Sequence, residues 1–285
     1  MHIVNGWATP AARVLSPNRE SGCASRECIV LHYTAGYTAA SAIATFAAPA
    51  SKASAHFVVE TDGAVTQMVN GNDTAWHAGY GVFRGSGQVN RRSIGIEIVN
   101  PGYHVRSASG AILNWERKPV PPARLAPFPG MIEARDPWAG SAPLLWPLYP
   151  EAQLLAVEAL IRACLAAWPE LSDIVGHRDV DTVRRLKVDP GPAFPMARMR
   201  RLLPGGADAA APRLLQVVSP ASPLNIRSGP GTGFGTLDRD PLRHGQRVTE
   251  REVRGPWVRV RAGEGTGAFE GWCHGAYLKP ATSSG

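Results

Sequence analysis

The chain of 285 residues is poor in cysteine, has no long apolar run and carries fewer acids than bases, and each shortage closes off a class of protein. Four cysteines (Cys23, Cys28, Cys164, Cys273) are too few for a disulfide scaffold at this length, and no two stand in the C-x-x-C spacing of a thiolate metal site. The thiols are expected to be incidental, a Cys23–Cys28 bridge being the alternative. No stretch of 18 apolar residues exists, and the opening MHIVNGWATP lacks the basic, apolar and cleavage regions of a signal peptide, so neither a spanning nor a classically secreted chain is expected. The helical motif H-E-x-x-H is missing, so any metal ligands must come from separate strands and loops. No RNP, helix-turn-helix or zinc-finger pattern occurs either, which leaves nucleic-acid binding with nothing but charge behind it.

What is present argues for a folded, loop-rich protein. Hydrophobic residues make 44% of the chain against 19% charged, enough to build a sizeable core, while 30 Gly and 25 Pro promise many turns. The net charge of +7 favours an anionic partner such as nucleic acid, a membrane surface or a wall polymer, without choosing among them. The segment from Leu203 to Pro212 has no large apolar residue after its first position and is framed by prolines. It divides the chain into residues 1–203, a linker 204–212, and a smaller unit 213–285. The smaller unit holds 10 Lys+Arg and 6 Asp+Glu, making it the more basic per residue. Short β-type runs there (214–218, 246–253, 257–260, 271–273) alternate with Gly/Pro turns, which predicts a small all-β barrel.

Residues 1–203 mix element types. The compact run 29–33 is a strand, 55–60 and 64–69 form a hairpin through Thr61-Asp62-Gly63, and 93–99 is a third strand. Pro150 opens a helix over 151–168, whose core stripe is Leu154, Val157, Ile161, Cys164 and Trp168. A shorter helix is expected over 38–46, stopped before Pro49. Strands interleaved with helices predict an α/β fold with a mixed central sheet flanked by helices. The Pro- and Trp-rich stretch 102–150 shows little periodicity and is expected as a long loop forming the rim of a cleft.

Three pieces could carry chemistry. Ile94, Ile96 and Ile98 share one strand face, which puts Gly95 and Glu97 on the other and sets a carboxylate within an apolar strand. His32 stands among Ile29, Val30, Leu31 and Tyr33, so the same argument applies to it. The third piece is Val175-Gly-His-Arg-Asp-Val180 with Leu186-Lys-Val-Asp-Pro-Gly-Pro192, where Lys187 and Asp189, two apart, point the same way in an extended segment. Two histidines and an aspartate suit zinc, with a fourth position left for water. Asp179 and Asp181 remain alternatives to Asp189.

Six segments in order (Leu31-His-Tyr-Thr-Ala-Gly36, Ser54-Ala-His-Phe-Val58, Ala75-Trp-His-Ala-Gly79, Ser93-Ile-Gly-Ile-Glu97, Gly176-His-Arg-Asp179 and Lys187-Val-Asp-Pro-Gly-Pro192) resemble the zinc-dependent N-acetylmuramoyl-L-alanine amidases, relatives of phage lysozyme-amidases and peptidoglycan recognition proteins. The resemblance spans roughly residues 28–195. It implies His32, His177 and Asp189 as ligands of Zn2+, Glu97 as the catalytic carboxylate and Lys187 as the cation near the developing oxyanion. His56, His77 and Trp76 become candidates for substrate contact, with a structural hydrogen bond from His56 to the sheet as the alternative. In the smaller unit, Leu224-Asn-Ile-Arg-Ser-Gly-Pro-Gly231, Trp257-Val-Arg-Val260 and the Gly271-Trp to Tyr277-Leu end resemble a bacterial SH3 domain, which implies a module that anchors to peptidoglycan.

The leading expectation is therefore hydrolysis of the amide between N-acetylmuramic acid and L-alanine in intact wall, in the manner of an endolysin delivered after synthesis in the cytoplasm. Two alternatives stand beside it. One is a cytosolic recycling amidase acting on soluble anhydro-muropeptides. The other is a non-catalytic peptidoglycan-binding protein, disfavoured because the ligand set, Glu97 and Lys187 are all present. The expected partners are peptidoglycan or muropeptides, with no nucleic acid and no membrane insertion.

Overall fold

A computed structural model describes residues 1–136, 138–140, 142–204 and 213–281; most of the expected linker, 205–212, lies outside the described residues. The centre is a six-stranded mixed sheet in the order Asp173–Gly176, Cys28–Tyr33, Ser93–Ile98, Phe57–Val59, Val65–Gln67, Ala12–Arg13. The first four of these run parallel, and the Phe57–Val59 and Val65–Gln67 strands form the expected antiparallel hairpin. Parallel strands are covered on both faces and so read as unbroken apolar runs. That is why a lone His32 or Glu97 stands out in them.

One face of the sheet packs on the long helix Glu151–Ala167. Ile29, Leu31, Phe57, Ile94, Ile96 and Ile98 from the strands meet Leu154, Val157, Leu160, Ile161 and Cys164 from the helix in a single buried cluster. Trp168 caps the helix rather than continuing it. The other face is covered by smaller pieces: the helix Ala39–Ala47 contributes Ala39, Ala42 and Phe46 over Val58, and Ala78, Phe83 and Val89 close over Cys28 and Val30. Alternation along the strands therefore sends the isoleucines to the long helix and Gly95, Glu97 and His32 to the thinner layer.

The stretch 102–150 departs from expectation. It contains a hairpin of Met131–Ala134 with Leu144–Pro147, and Ile132, Trp146, Leu148 and Tyr149 are buried in the main core. Four-residue strands, one of them buried at every position, leave too short an alternation to read from sequence. None of its described residues lines the cavity around His32. Residues 213–281 form a five-stranded antiparallel sheet in the order Phe269–His274, Trp257–Ala262, Arg247–Arg254, Leu214–Val217, Leu278–Pro280. Trp257 and Trp272 of this sheet join the main core, and the backbone N–H of Gly255 donates to the Pro192 carbonyl at 3.0 Å. All four cysteines are free, and no helix among the described residues is long and apolar enough to cross a membrane.

Candidate active site

The site forms at the carboxyl ends of the parallel strands, where open α/β sheets place their ligands. His32 and Glu97 stand directly opposite each other in the register of Cys28–Tyr33 with Ser93–Ile98. Gly176 pairs with Leu31, so the next residue along, His177, arrives beside His32 as the chain leaves its strand. Asp179 secures that exit by accepting the Gly176 N–H at 2.9 Å and an Arg200 N–H at 3.0 Å. The aspartate comes from a loop clamped at several points. Arg178 N–H donates to the Asp189 carbonyl at 3.2 Å, Tyr149 O–H donates to the Pro190 carbonyl at 2.8 Å, and Val188 is buried in the main core. Gly176 must be glycine for this, since a Cβ there would lie 2.8 Å from Pro190 Cδ.

The result is a tight triangle. His32 Nδ1 lies 3.0 Å from His177 Nδ1 and 3.2 Å from Asp189 Oδ2, and His177 Nδ1 lies 3.1 Å from the same oxygen. All three residues are buried. Lone pairs crowded on one point repel one another unless a cation or protons lie among them, and two imidazole nitrogens with one carboxylate oxygen are a donor set that zinc prefers. The residues therefore fit a zinc ion. Asp179 and Asp181 do not join this triangle. Asp181 Oδ2 instead accepts the N–H groups of Leu186 and Lys187 at 2.8 and 3.0 Å, which fixes the loop that carries Lys187.

The electrostatics follow from burial. Desolvation, helped by the neighbouring His177, holds His32 down to about 4 and hence neutral near pH 7. Burial works against the Asp189 carboxylate, but the adjacent imidazoles outweigh it and keep it below the ordinary range. Glu97 is pushed well above the ordinary value, first by burial and then by the like charge of Asp189, with Lys187 opposing. Its Oε2 is buried without a hydrogen-bond partner. A cavity of about 390 Å³ opens here, bordered by Glu97, Lys187, Trp76, Leu186 and the three triangle residues. An unpartnered carboxyl, an ammonium and a metal-competent triangle thus face one space. Sequence similarity bears on the same region: residues 24–192, more than half the chain, match the family described as N-acetylmuramoyl-L-alanine amidase.

The chain belongs to the N-acetylmuramoyl-L-alanine amidase family. Among relatives of this chain, 1,6-anhydro-N-acetylmuramyl-L-alanine amidase AmpD of Escherichia coli (strain K12) is 29% identical over 153 residues, which cover 53% of this chain and 59% of the relative. N-acetylmuramoyl-L-alanine amidase AmiD of the same strain is 28% identical over 179 residues, covering 60% of this chain and 51% of that one. The chain thus spans between about half and three fifths of the length of the curated relatives it matches. The solved complex of E. coli AmiD with anhydro-N-acetylmuramic acid-L-Ala-D-gamma-Glu-L-Lys aligns with a TM-score of 0.45 at 23% identity, over 69% of this chain and 60% of that one.

The remaining candidates separate. Trp76 is half-buried on the cavity wall. His56 is fully buried, does not line the cavity and spends both ring nitrogens on backbone, accepting the Gly95 N–H at 3.0 Å, a hydrogen bond to the sheet, and donating to the Asp73 carbonyl at 3.1 Å. His77 also borders the cavity, but neither of its ring nitrogens is free: Nδ1 meets His32 Nε2 at 3.0 Å and Nε2 meets Ser93 Oγ at 3.1 Å. Tyr149 and Ser93 were not legible as site residues in the sequence, and Asp181 stood there only as an alternative ligand, not as the anchor of the Lys187 loop. Each acts by holding another residue, and a lone Asp, Tyr or Ser carries no spacing signal for that.

Proposed function

We propose that this chain hydrolyses the amide between the lactyl group of N-acetylmuramic acid and L-alanine, with His32, His177 and Asp189 holding a zinc ion. The observation that carries the reading is the convergence of these three ligand atoms beside the unpartnered Glu97 carboxyl, in a chain of this family. Zinc at such a site supplies Lewis acidity, polarising a carbonyl and acidifying water. The protein residues do the rest. Glu97, raised by its burial, is suited to take a proton from the attacking water and return it to the departing alanine nitrogen. Lys187, on the loop secured by Asp181, brings a positive charge to the cavity in which the oxyanion develops. Trp76 offers an apolar wall for the sugar or the stem peptide.

For the substrate we favour soluble anhydro-muropeptides, since the 1,6-anhydro sugar is in the name of the AmpD relative, and with them action in the cytoplasm. This replaces intact wall, expected from the basic C-terminal unit, as the leading choice. Wall anchoring by an SH3-like unit 213–285 is kept as a second reading, supported by the excess of 10 bases over 6 acids in that unit and by its antiparallel sheet. Zinc-loaded protein should release peptides with a free N-terminal L-alanine from purified anhydro-muropeptides, and a chelator should stop it. Release from purified sacculi alone would overturn the substrate choice, and no release from either, with zinc bound, would overturn the activity.

A further inference from the structure

A chain of hydrogen bonds leads away from the site, and its proton positions can be worked out from one end. The Ser93 hydroxyl lies 2.6 Å from the Val89 carbonyl oxygen, which can only accept, so the single hydroxyl proton is committed there. Towards His77 Nε2, at 3.1 Å, Ser93 Oγ can then only accept, and the proton of that contact belongs to His77. His77 is buried, with His32, His56 and the Gly95 backbone against its ring and no carboxylate hydrogen-bonded to it among the described residues, so it carries one proton rather than two. Its Nδ1 therefore presents a lone pair, and at 3.0 Å it accepts from His32 Nε2. With a proton held on Nε2, Nδ1 is the ring nitrogen of His32 left to act as a donor to a metal, and it is the atom that faces His177 Nδ1 and Asp189 Oδ2.

The surroundings hold this relay rigidly. Asn90 Oδ1 accepts the backbone N–H groups of His77 and Ala78 at 3.0 and 2.7 Å, pinning the turn that carries the ring. The ring lies on Gly95 so closely that a Cβ there would be 2.4 Å from His77 Cγ. Ser93 and Gly95 belong to the strand that also carries Glu97, so that strand sets both the catalytic carboxyl and the support of the relay.

We propose that Ser93 and His77 are positioning residues that lock His32 into the Nε2-protonated tautomer, so that its Nδ1 is a ready-made metal donor. The use of that lone pair rests on the metal-site reading above; the tautomer does not. The test therefore has two readouts on the full chain. Long-range ¹H–¹⁵N correlation of the imidazoles in the metal-free protein should find His32 and His77 both protonated on Nε2. Zinc affinity, by competition with a chelating dye, should weaken about 10- to 100-fold in Ser93→Ala and His77→Leu, the range for residues that orient metal ligands. His77→Asn, whose side-chain oxygen can take the place of Nδ1 as acceptor, should stay within a few-fold of wild type and keep the His32 proton on Nε2. A wild-type His32 protonated on Nδ1 overturns the proposal, as does a His77→Leu protein that is folded and binds zinc as tightly as wild type. A wild-type protein that binds no zinc yet shows the expected tautomers sinks the metal reading and upholds the relay.

Discussion

Replacing Glu97 by glutamine separates catalysis from stability in opposite directions. The substitution keeps shape and removes the charge, so zinc binding at His32, His177 and Asp189 should persist while the rate of alanyl-peptide release falls by about 10²- to 10⁴-fold, the usual contribution of a general base. Stability should rise. Glu97 Oε2 is buried with no partner; glutamine is left equally unpaired there but uncharged, and sparing the buried charge is worth about 1–3 kcal/mol. The sign with pH follows from its raised value. Below the ordinary glutamate value of 4.5 the carboxyl is protonated in folded and unfolded chains alike, and the charge costs nothing. As pH rises the unfolded chain ionises first, so the folded state loses ground until pH passes the raised value. In metal-stripped protein, Glu97→Gln should accordingly melt about 2–12 °C above wild type at pH 8, at roughly 2–4 °C per kcal/mol, with a smaller difference at pH 5. A variant that melts at or below wild type at pH 8, or that cleaves at close to the wild-type rate, would refute this account of Glu97.

Loss of a ligand should act on the metal itself: His177→Ala leaves two of three donors, and zinc content per chain, measured by atomic emission after dialysis, should fall towards zero together with the activity. Gly95→Ala drives a Cβ into the His77 ring, and overpacking of this kind costs about 1–3 kcal/mol, so a melting temperature equal to wild type would contradict the close approach. Tyr149→Phe deletes the hydroxyl that holds the Pro190 carbonyl at 2.8 Å and should cost about 1 kcal/mol in denaturant titration while leaving the core packed. A chain ending at residue 204 loses Trp257 and Trp272 from the main core; it should melt earlier than the full chain and bind an apolar dye, and an unchanged melt would show that the C-terminal sheet is energetically separate.

Much of this protein was open to reading without coordinates. The central strands declare themselves because sheets covered on both faces demand continuous apolar runs, and against such runs His32 and Glu97 are conspicuous. The long helix over Glu151–Ala167 shows its 3.6-residue stripe, and the order of short motifs carries the family. The hairpin of Met131–Ala134 and Leu144–Pro147 was hidden, since four-residue strands buried against a neighbouring sheet leave no period to detect. The family resemblance pointed to Asp189, but only the tertiary structure gives the reason that it, and not Asp179 or Asp181, meets the two histidines. Asp179, Asp181 and Asp189 are chemically alike and close in sequence, yet two of them are consumed by nearby N–H groups and one is carried to the triangle by the clamped loop. It also decided the parts of His56 and His77. Local sequence specifies residue types and periodicity, whereas the direction of a hydrogen bond and the neighbour that receives it depend on segments far apart along the chain meeting in one place.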